Sequence, residues 1–116
     1  RIEVLPYYTK EHQASGHLYI IRVLGIVLKE RQEIIMKRGE AGVATNVHYK
    51  PLPMMTAYKN LEFDIKDFPN AYKRFKNEIM LPLHTKLTDE EVGYVIEKYS
   101  GIVKDLYAKR NTEVNL

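Results

Sequence analysis

The C-terminal third of the chain carries the strongest constraint on the fold, because a helix start signal precedes a long apolar stripe. Residues 88–91 read Thr-Asp-Glu-Glu, a capping box in which the Thr88 hydroxyl accepts from the third helical amide and Glu91 reaches back to the cap. The pattern predicts a long helix with one continuous apolar face, whose tyrosines lie in the core. The apolar side chains that recur at helical spacing are Val92, Val95, Ile96, Tyr99, Ile102, Val103, Leu106 and Tyr107.

Two strands and a helix are predicted near the start of the chain. Residues 1–5 indicate a short strand that Pro6 stops, and residues 17–25 (HLYIIRVLG) have the β-branched and aromatic content of a buried strand. Residues 28–38 follow a helical pattern, and Gly39 suits the left-handed position that ends such a helix. The side chains expected to face inward on this helix are Leu28, Ile34 and Ile35, with KERQE solvated.

The middle of the chain predicts a strand, two helical segments and an edge strand. Residues 41–47 (AGVATNV) indicate the strand, and a proline-containing loop with a helical turn around MTAYKN follows it. Asp67 is expected to cap the next helix. Residues 79–83 (IMLPL) indicate a short strand that Pro82 ends, which places it at a sheet edge. The inward face of the second helix is expected to comprise Phe68, Ala71, Tyr72, Phe75 and Ile79.

This order of elements predicts an α+β fold, in which a small antiparallel or mixed sheet has helices mainly on one face. The 116 residues suit one domain, and 45% hydrophobic and 28% charged residues are ordinary for a soluble one. No apolar run approaches the roughly 18 residues of a membrane span. The absence of cysteine fits a reducing compartment, so a cytoplasmic location is expected. Because the chain begins with Arg1, we expect it to start inside a larger protein.

Motifs of an autonomous enzyme are absent from the sequence. The histidines fall in no HxxxH or HExxH spacing, so no metal site is predicted. The glycines are scattered and do not cluster before a helix, so no phosphate cradle is predicted, and no GxSxG elbow occurs. We therefore expect no catalytic residue within the chain. His17 and His84 are interpreted as structural residues near a strand edge and a helix start.

A small basic module that binds nucleic acid or protein is an alternative, since the net charge is +3 and the chain has nine tyrosines. The aromatic-rich strand motif of an RNA-recognition domain is absent. Basic residues alternate with acidic ones on the predicted helices, as on solvated faces. The residues concerned are Lys29, Arg31, Lys37, Arg38, Lys73, Arg74 and Lys76.

An ordered set of segments resembles the C-terminal domain of the DegT-type nucleotide-sugar aminotransferases, which are pyridoxal-phosphate enzymes of fold type I. The segments are HLYIIR, then VHYKP followed by AYKN, then FPNAYK leading to LPLHTKLTDEEV. A single piece such as LPLH would be weak evidence. The ordered set, which extends over residues 17–106, is highly specific.

The resemblance implies that residues 1–116 are the small domain of an aminotransferase. In this family the Schiff-base lysine, the carboxylate that holds the pyridinium proton and the phosphate cup lie in a large N-terminal domain. The chain alone is therefore expected to lack pyridoxal phosphate and activity. The implied reaction moves an amino group from an amino acid, typically glutamate, to a nucleotide-linked keto-sugar for amino-sugar and surface-polysaccharide synthesis. The implied assembly is a homodimer. Because the small domain of this family packs on the large one, residues 1–116 without the large domain should expose apolar surface on the first strand and the last helix.

The loop NVHYKP resembles the family segment that approaches the sugar, so Asn46, His48, Tyr49 and Lys50 are the expected substrate-binding residues. Amide, imidazole and phenol groups supply the directional donors and acceptors that sugar hydroxyls need, and a lysine suits a diphosphate. Prolines at positions 51 and 53 restrict the loop and lower the entropy cost of this display. The alternative is that His48 and Tyr49 finish a strand and pack.

Overall fold

A three-stranded antiparallel sheet and four α-helices make up the computed structural model, which describes residues 1–114. The strands are β1 (Ile2–Val4), β2 (Tyr19–Val23) and β3 (Glu78–Leu81), in the spatial order β1-β2-β3. The helices are α1 (Leu28–Glu40), α2 (Thr56–Lys59), α3 (Pro69–Phe75) and α4 (Asp89–Val114). The predicted α+β class is confirmed, and β3 lies at an edge of the sheet as expected.

The core lies between one face of the sheet and the helices α1 and α4. Ile21 of β2 is paired with Ile79 of β3, and both are almost completely buried. Because side chains alternate along a strand, Val23 lies on the same face as Ile21. The cluster that covers this face combines these residues with Ile26, Ile34 of α1, and Tyr99, Val103 and Leu106 of α4.

The start of α4 has the predicted capping box. The Thr88 amide donates to Glu91 Oε2 at 2.9 Å, and the Glu91 amide donates to Thr88 Oγ1 at 3.2 Å. Only the second half of the apolar stripe is buried, since Val92 and Ile96 are 41% and 58% exposed. Ile2 and Val4 of β1 are exposed as well. Apolar surface is thus open at the two places where the resemblance led us to expect it.

The end of α1 corrects the prediction for Gly39, which lies inside the helix. The left-handed residue is Gly42, whose φ is +74°. The amides of Gly42 and Val43 donate to the carbonyls of Gly39 and Arg38 at 3.0 and 2.9 Å, which is the paired pattern that closes a helix at glycine. The prediction placed the cap too early because a glycine inside a helix costs only about 1 kcal/mol.

Residues 41–47 do not form the predicted strand. Their first residues are used to close α1, and a single antiparallel bridge between Asn46 and Met80 is the part of a strand that remains. Tight closure of the helix by Gly42 turns the chain sharply, so it meets the edge of β3 only at Asn46. The chain beyond Asn46 is therefore a loop anchored at one point on the sheet.

The prediction for α3 was wrong in its cap and in most of its buried face. Asp67 ends a short 3-10 turn that Asp64 caps by accepting from the Lys66 amide at 2.9 Å. Helix α3 starts with Pro69, whose missing amide would have had no partner within the helix, and no side chain caps this end. Within this short helix Phe75 is buried, whereas Tyr72 is 37% exposed, and Phe68 and Ala71 are also exposed.

Two arginines of α1 that were expected on a solvated face are buried. Arg31 donates to the Phe75 carbonyl and lies over the Phe75 ring, with 4.3 Å between its Cζ atom and the ring centroid. Arg38 is fully buried and lies over the Tyr99 ring at 4.5 Å. A guanidinium is weakly hydrated and stacks well on aromatic rings, which an alternation of charges along a sequence does not reveal. These two cations are not available to an anionic partner.

The ion pair between Glu30 and Arg110 joins α1 to α4. Arg110 Nε donates to Glu30 Oε1 at 2.6 Å, and its Nη2 donates to Glu30 Oε2. The Val27 amide donates to the same carboxylate at 2.8 Å. Burial raises the pKa of Glu30, but the hydrogen bonds from Arg110 and Val27 outweigh it and hold the pKa below its usual value.

This ion pair predicts a pH-dependent loss of stability in Glu30→Gln. We expect the variant to lose about 1–2 kcal/mol at pH 7, because the hydrogen bonds to a charged acceptor are weakened. A lowered folded-state pKa stabilises the fold fully above the ordinary pKa of the carboxyl and less as the pH falls through the lowered value. The difference from wild type in urea unfolding should therefore shrink below about pH 4.

The matched control for this prediction is Glu33→Gln, on the same helix. Glu33 pairs with Lys37 at 3.0 Å on the surface, so its replacement should leave stability nearly unchanged. A constant deficit in Glu30→Gln from pH 7 to pH 3 would contradict the electrostatic account.

No helix within residues 1–114 is both long and apolar enough to cross a membrane. The same residues contain no group of three His, Asp or Glu side chains arranged to hold a metal ion.

Candidate functional site

The predicted site residues lie where the chain leaves the edge of the sheet. The Asn46 amide donates to the Met80 carbonyl at 3.3 Å, and the Met80 amide donates to the Asn46 carbonyl at 2.8 Å. The Asn46 side chain is exposed and accepts from the Val47 amide at 2.7 Å. Asn46 therefore anchors the loop to β3, and its side-chain amide group faces solvent.

His48 and Tyr49 are brought into contact, with their ring centroids 4.4 Å apart and the rings tilted by 58°. The peptide bond between them is cis. Tyr49 is 73% exposed, whereas His48 is half-buried, and its Nδ1 atom is buried without a hydrogen-bond partner among residues 1–114. The Nε2 atom is not enclosed in this way. One ring nitrogen of His48 thus faces the protein and the other can face a ligand.

Lys50 is exposed and precedes a short 3-10 turn over Leu52–Met54 that contains Pro53. The Met54 amide donates to the Pro51 carbonyl at 2.9 Å, so both prolines take part in the turn. This agrees with the prediction that the prolines restrict the loop. The structure brings the rings of His48 and Tyr49 together. Among residues 1–114, the side chains of Asn46 and Lys50 form no hydrogen bond with either ring.

An aromatic and apolar surface continues from this loop through α2 towards α3. The Tyr58 and Phe63 rings have centroids 6.2 Å apart, and the Phe63 and Phe68 rings 6.5 Å apart. Residues that remain exposed here include Leu52, Met55, Leu61, Phe63 and Phe68. The loop with the predicted site residues therefore lies at one end of an extended apolar surface, and such a surface can pack against another domain or subunit.

Glu78 is a buried acidic residue near this loop that the sequence analysis did not single out. It is 8% exposed and lies in β3 opposite Arg22 of β2. Burial raises the pKa of the Glu78 carboxyl, although the charges of Arg74, Arg22, Arg31 and His48 act in the opposite direction. A glutamate in an edge strand is common, so no local signal distinguishes it. The position of Glu78 relative to the loop depends on the register of the strands.

The comparisons with known proteins can now be set beside this geometry. Residues 1–100 match the model of the DegT/DnrJ/EryC1/StrS aminotransferase family. The chain belongs to this family. Sequence relatives of this chain include the spore coat polysaccharide biosynthesis protein SpsC of Bacillus subtilis, which is 30% identical over 106 residues. The match covers 87% of the chain and 27% of SpsC.

A second relative is the UDP-4-amino-4,6-dideoxy-N-acetyl-beta-L-altrosamine transaminase of Campylobacter jejuni, 28% identical over 104 residues. That match covers 85% of the chain and 27% of the transaminase. Among solved structures, Spr1654 of Streptococcus pneumoniae, a candidate sugar aminotransferase in its PMP form, has a TM-score of 0.92 and 51% identity. The match covers 96% of this chain and 28% of that one. The chain thus spans little more than a quarter of the length of these relatives.

The starts of α1 and α4 are not open to the phosphate of pyridoxal phosphate. A phosphate group needs free amides at a helix start or a glycine-rich turn, but the first turns of α1 and α4 already hold the carboxylates of Glu30 and Glu91. Lys50 in the candidate loop is exposed. No step of a reaction is therefore assigned to the cofactor within this chain.

Proposed function

We propose that residues 1–116 are the small domain of a sugar aminotransferase that aminates a nucleotide-linked keto-sugar. The observation that carries the proposal is the 51% identity and TM-score of 0.92 to Spr1654 over 96% of the chain. Relatives that are named as nucleotide-sugar aminotransferases support the substrate class, among them the dTDP-4-dehydro-2,3,6-trideoxy-D-glucose 4-aminotransferase of Saccharopolyspora spinosa. Our proposal includes glutamate as amino donor, a cytoplasmic homodimer, and a role in amino-sugar and polysaccharide synthesis.

Within this function, Asn46, His48, Tyr49 and Lys50 are the residues proposed to face the sugar nucleotide. The exposed amide, the outward imidazole nitrogen and the exposed phenol can donate to and accept from sugar hydroxyls. The Lys50 ammonium is a mobile point charge suited to a diphosphate. Anchoring of the loop at Asn46 and its closure by the prolines support this role, because a held loop loses less entropy when a sugar binds.

Amino transfer by the full-length protein tests the proposed function. We expect transfer from glutamate to dTDP-4-dehydro-2,3,6-trideoxy-D-glucose or another UDP- or dTDP-linked 4-keto-sugar, measured by mass spectrometry of the amino-sugar and assay of 2-oxoglutarate. UDP-4-amino-4,6-dideoxy-N-acetyl-beta-L-altrosamine can be used with 2-oxoglutarate to test the reverse direction. Transfer to simple keto acids alone, with no nucleotide sugar of this panel used, would contradict the proposal.

The cofactor is proposed to be pyridoxal phosphate, held outside residues 1–116; Spr1654 has been solved in PLP and PMP forms. When bound, this group carries the amino group between donor and acceptor. After borohydride reduction of the full-length protein, peptide mapping should find the pyridoxyl-lysine on a peptide outside residues 1–116. A stoichiometric pyridoxyl group on a lysine within residues 1–116 would show that we have assigned the cofactor to the wrong part of the protein.

A further inference from the structure

A row of side chains with alternating charge crosses the sheet and leads to the candidate site. Glu3 of β1 is paired with Arg22 of β2, and Arg22 is paired with Glu78 of β3. Arg22 Nη1 donates to Glu3 Oε2 at 2.9 Å, which shows that the first two members point to the same face. Residues paired directly across antiparallel strands lie on one face, so Glu78 belongs to the same row.

The row extends beyond β3 to His48. The bridge between Asn46 and Met80 is antiparallel, so two residues onward along the loop and two residues back along β3 are His48 and Glu78. This bridge brings the loop to the part of β3 where Glu78 lies, and His48 is the last of the groups that oppose the effect of burial on the pKa of the Glu78 carboxyl. The order of side chains across the sheet is therefore acid, base, acid and imidazole.

The Glu78 carboxylate accepts no hydrogen bond from another side chain among residues 1–114. Its strand partner Arg22 is engaged with Glu3 and with Asn77 Oδ1, to which its Nε donates at 3.2 Å. Arg31, another nearby cation, donates to a backbone carbonyl of α3. None of these cations forms an ion pair with Glu78 within the described residues. Glu78 is 8% exposed as a residue, and a largely buried acidic side chain without an ion-pair partner is costly, which points to a use beyond packing.

We propose that Glu78 is a positioning residue that orients the His48 imidazole for the sugar; this rests on the proposed function. The buried Nδ1 of His48 lies on the protein side of the ring and lacks a partner among residues 1–114. A negative charge on that side favours the tautomer that carries its proton on Nδ1, because the tautomer of a histidine follows the partner of each nitrogen. Nε2 then presents a lone pair that accepts from a sugar hydroxyl.

A double-mutant cycle in the full-length protein tests this role, with the nucleotide sugar that wild type aminates as the probe. Glu78→Gln should slow the sugar half-reaction about tenfold and leave the glutamate half-reaction unchanged. A tenfold effect is within the range of interaction energies between coupled residues. In a His48→Ala background the same substitution should have no further effect. Glu78→Asp, which keeps the charge, should recover part of the loss.

The controls separate this proposal from the proposed function. Glu3→Gln removes a carboxylate from the same arginine but lies on β1, at the opposite edge of the sheet from the loop, so it should leave both half-reactions unchanged. If His48→Ala itself spares the sugar half-reaction, the proposed sugar contact is wrong. If His48→Ala impairs it but Glu78→Gln costs as much in that background as in wild type, or if Glu3→Gln is equally harmful, Glu78 does not act through His48.

Discussion

Replacement of His48 by alanine should slow the sugar half-reaction roughly 5- to 150-fold and leave the glutamate half-reaction nearly intact. The physical reason is the loss of one polar contact, worth about 1–3 kcal/mol when the partner group stays buried and unpaired. In the proposed function glutamate reacts without contact to the sugar-side loop, so the rate of the glutamate half-reaction should not change. Single-turnover measurements of both half-reactions in the full-length protein compare the two effects directly.

Tyr49→Phe is the matched variant for this experiment. It removes the hydroxyl and keeps the ring that contacts His48, so its effect on the sugar half-reaction should be smaller. The packing alternative predicts a different pattern, with a lower melting temperature and both half-reactions reduced together. Equal losses in a folded His48→Ala protein would mean that the imidazole only packs against the edge of the sheet.

Elements with strong local signals were predictable from the sequence. The capping box at Thr88 and the apolar stripe behind it define α4, because both signals lie within a few residues of each other. The β-branched run of β2 and the proline after β3 likewise act locally. The ordered motif set identified the family because its information lies in chain order, which needs no coordinates.

Features that depend on contacts between distant residues were not predictable. The charges around Arg38 alternate along the sequence as on a solvated helix face, but the Tyr99 ring of α4 covers Arg38. Residues 41–47 have the composition of a strand, yet closure of α1 at Gly42 leaves a single bridge. Glu78 reaches the candidate site only through the register of β2 and β3 and the bridge at Asn46. Asn46, His48, Tyr49 and Lys50 were identified by resemblance, and their role in binding stays a prediction.

Tyr99→Ala should produce the largest loss of stability, about 3–5 kcal/mol, because a large buried aromatic side chain is removed from the core. Tyr99 is 3% exposed and belongs to the cluster that joins α4 to the sheet. Its ring also covers the Arg38 guanidinium, which has no hydrogen-bond partner among residues 1–114. The variant therefore opens a cavity and removes the aromatic face from a buried cation. Urea unfolding of the protein that contains this domain measures the loss.

Tyr99→Phe separates the contribution of the ring from that of the hydroxyl. The Tyr99 hydroxyl is buried without a partner among residues 1–114, and burial raises the pKa of Tyr99, so this group stays neutral. Phenylalanine keeps the ring over Arg38 and removes an unsatisfied polar atom, so we expect stability equal to or above that of wild type. A loss in Tyr99→Phe as large as that in Tyr99→Ala would show that the hydroxyl is hydrogen-bonded. The Arg38–Tyr99 contact would then be a polar link between α1 and α4, in addition to the stacking seen here.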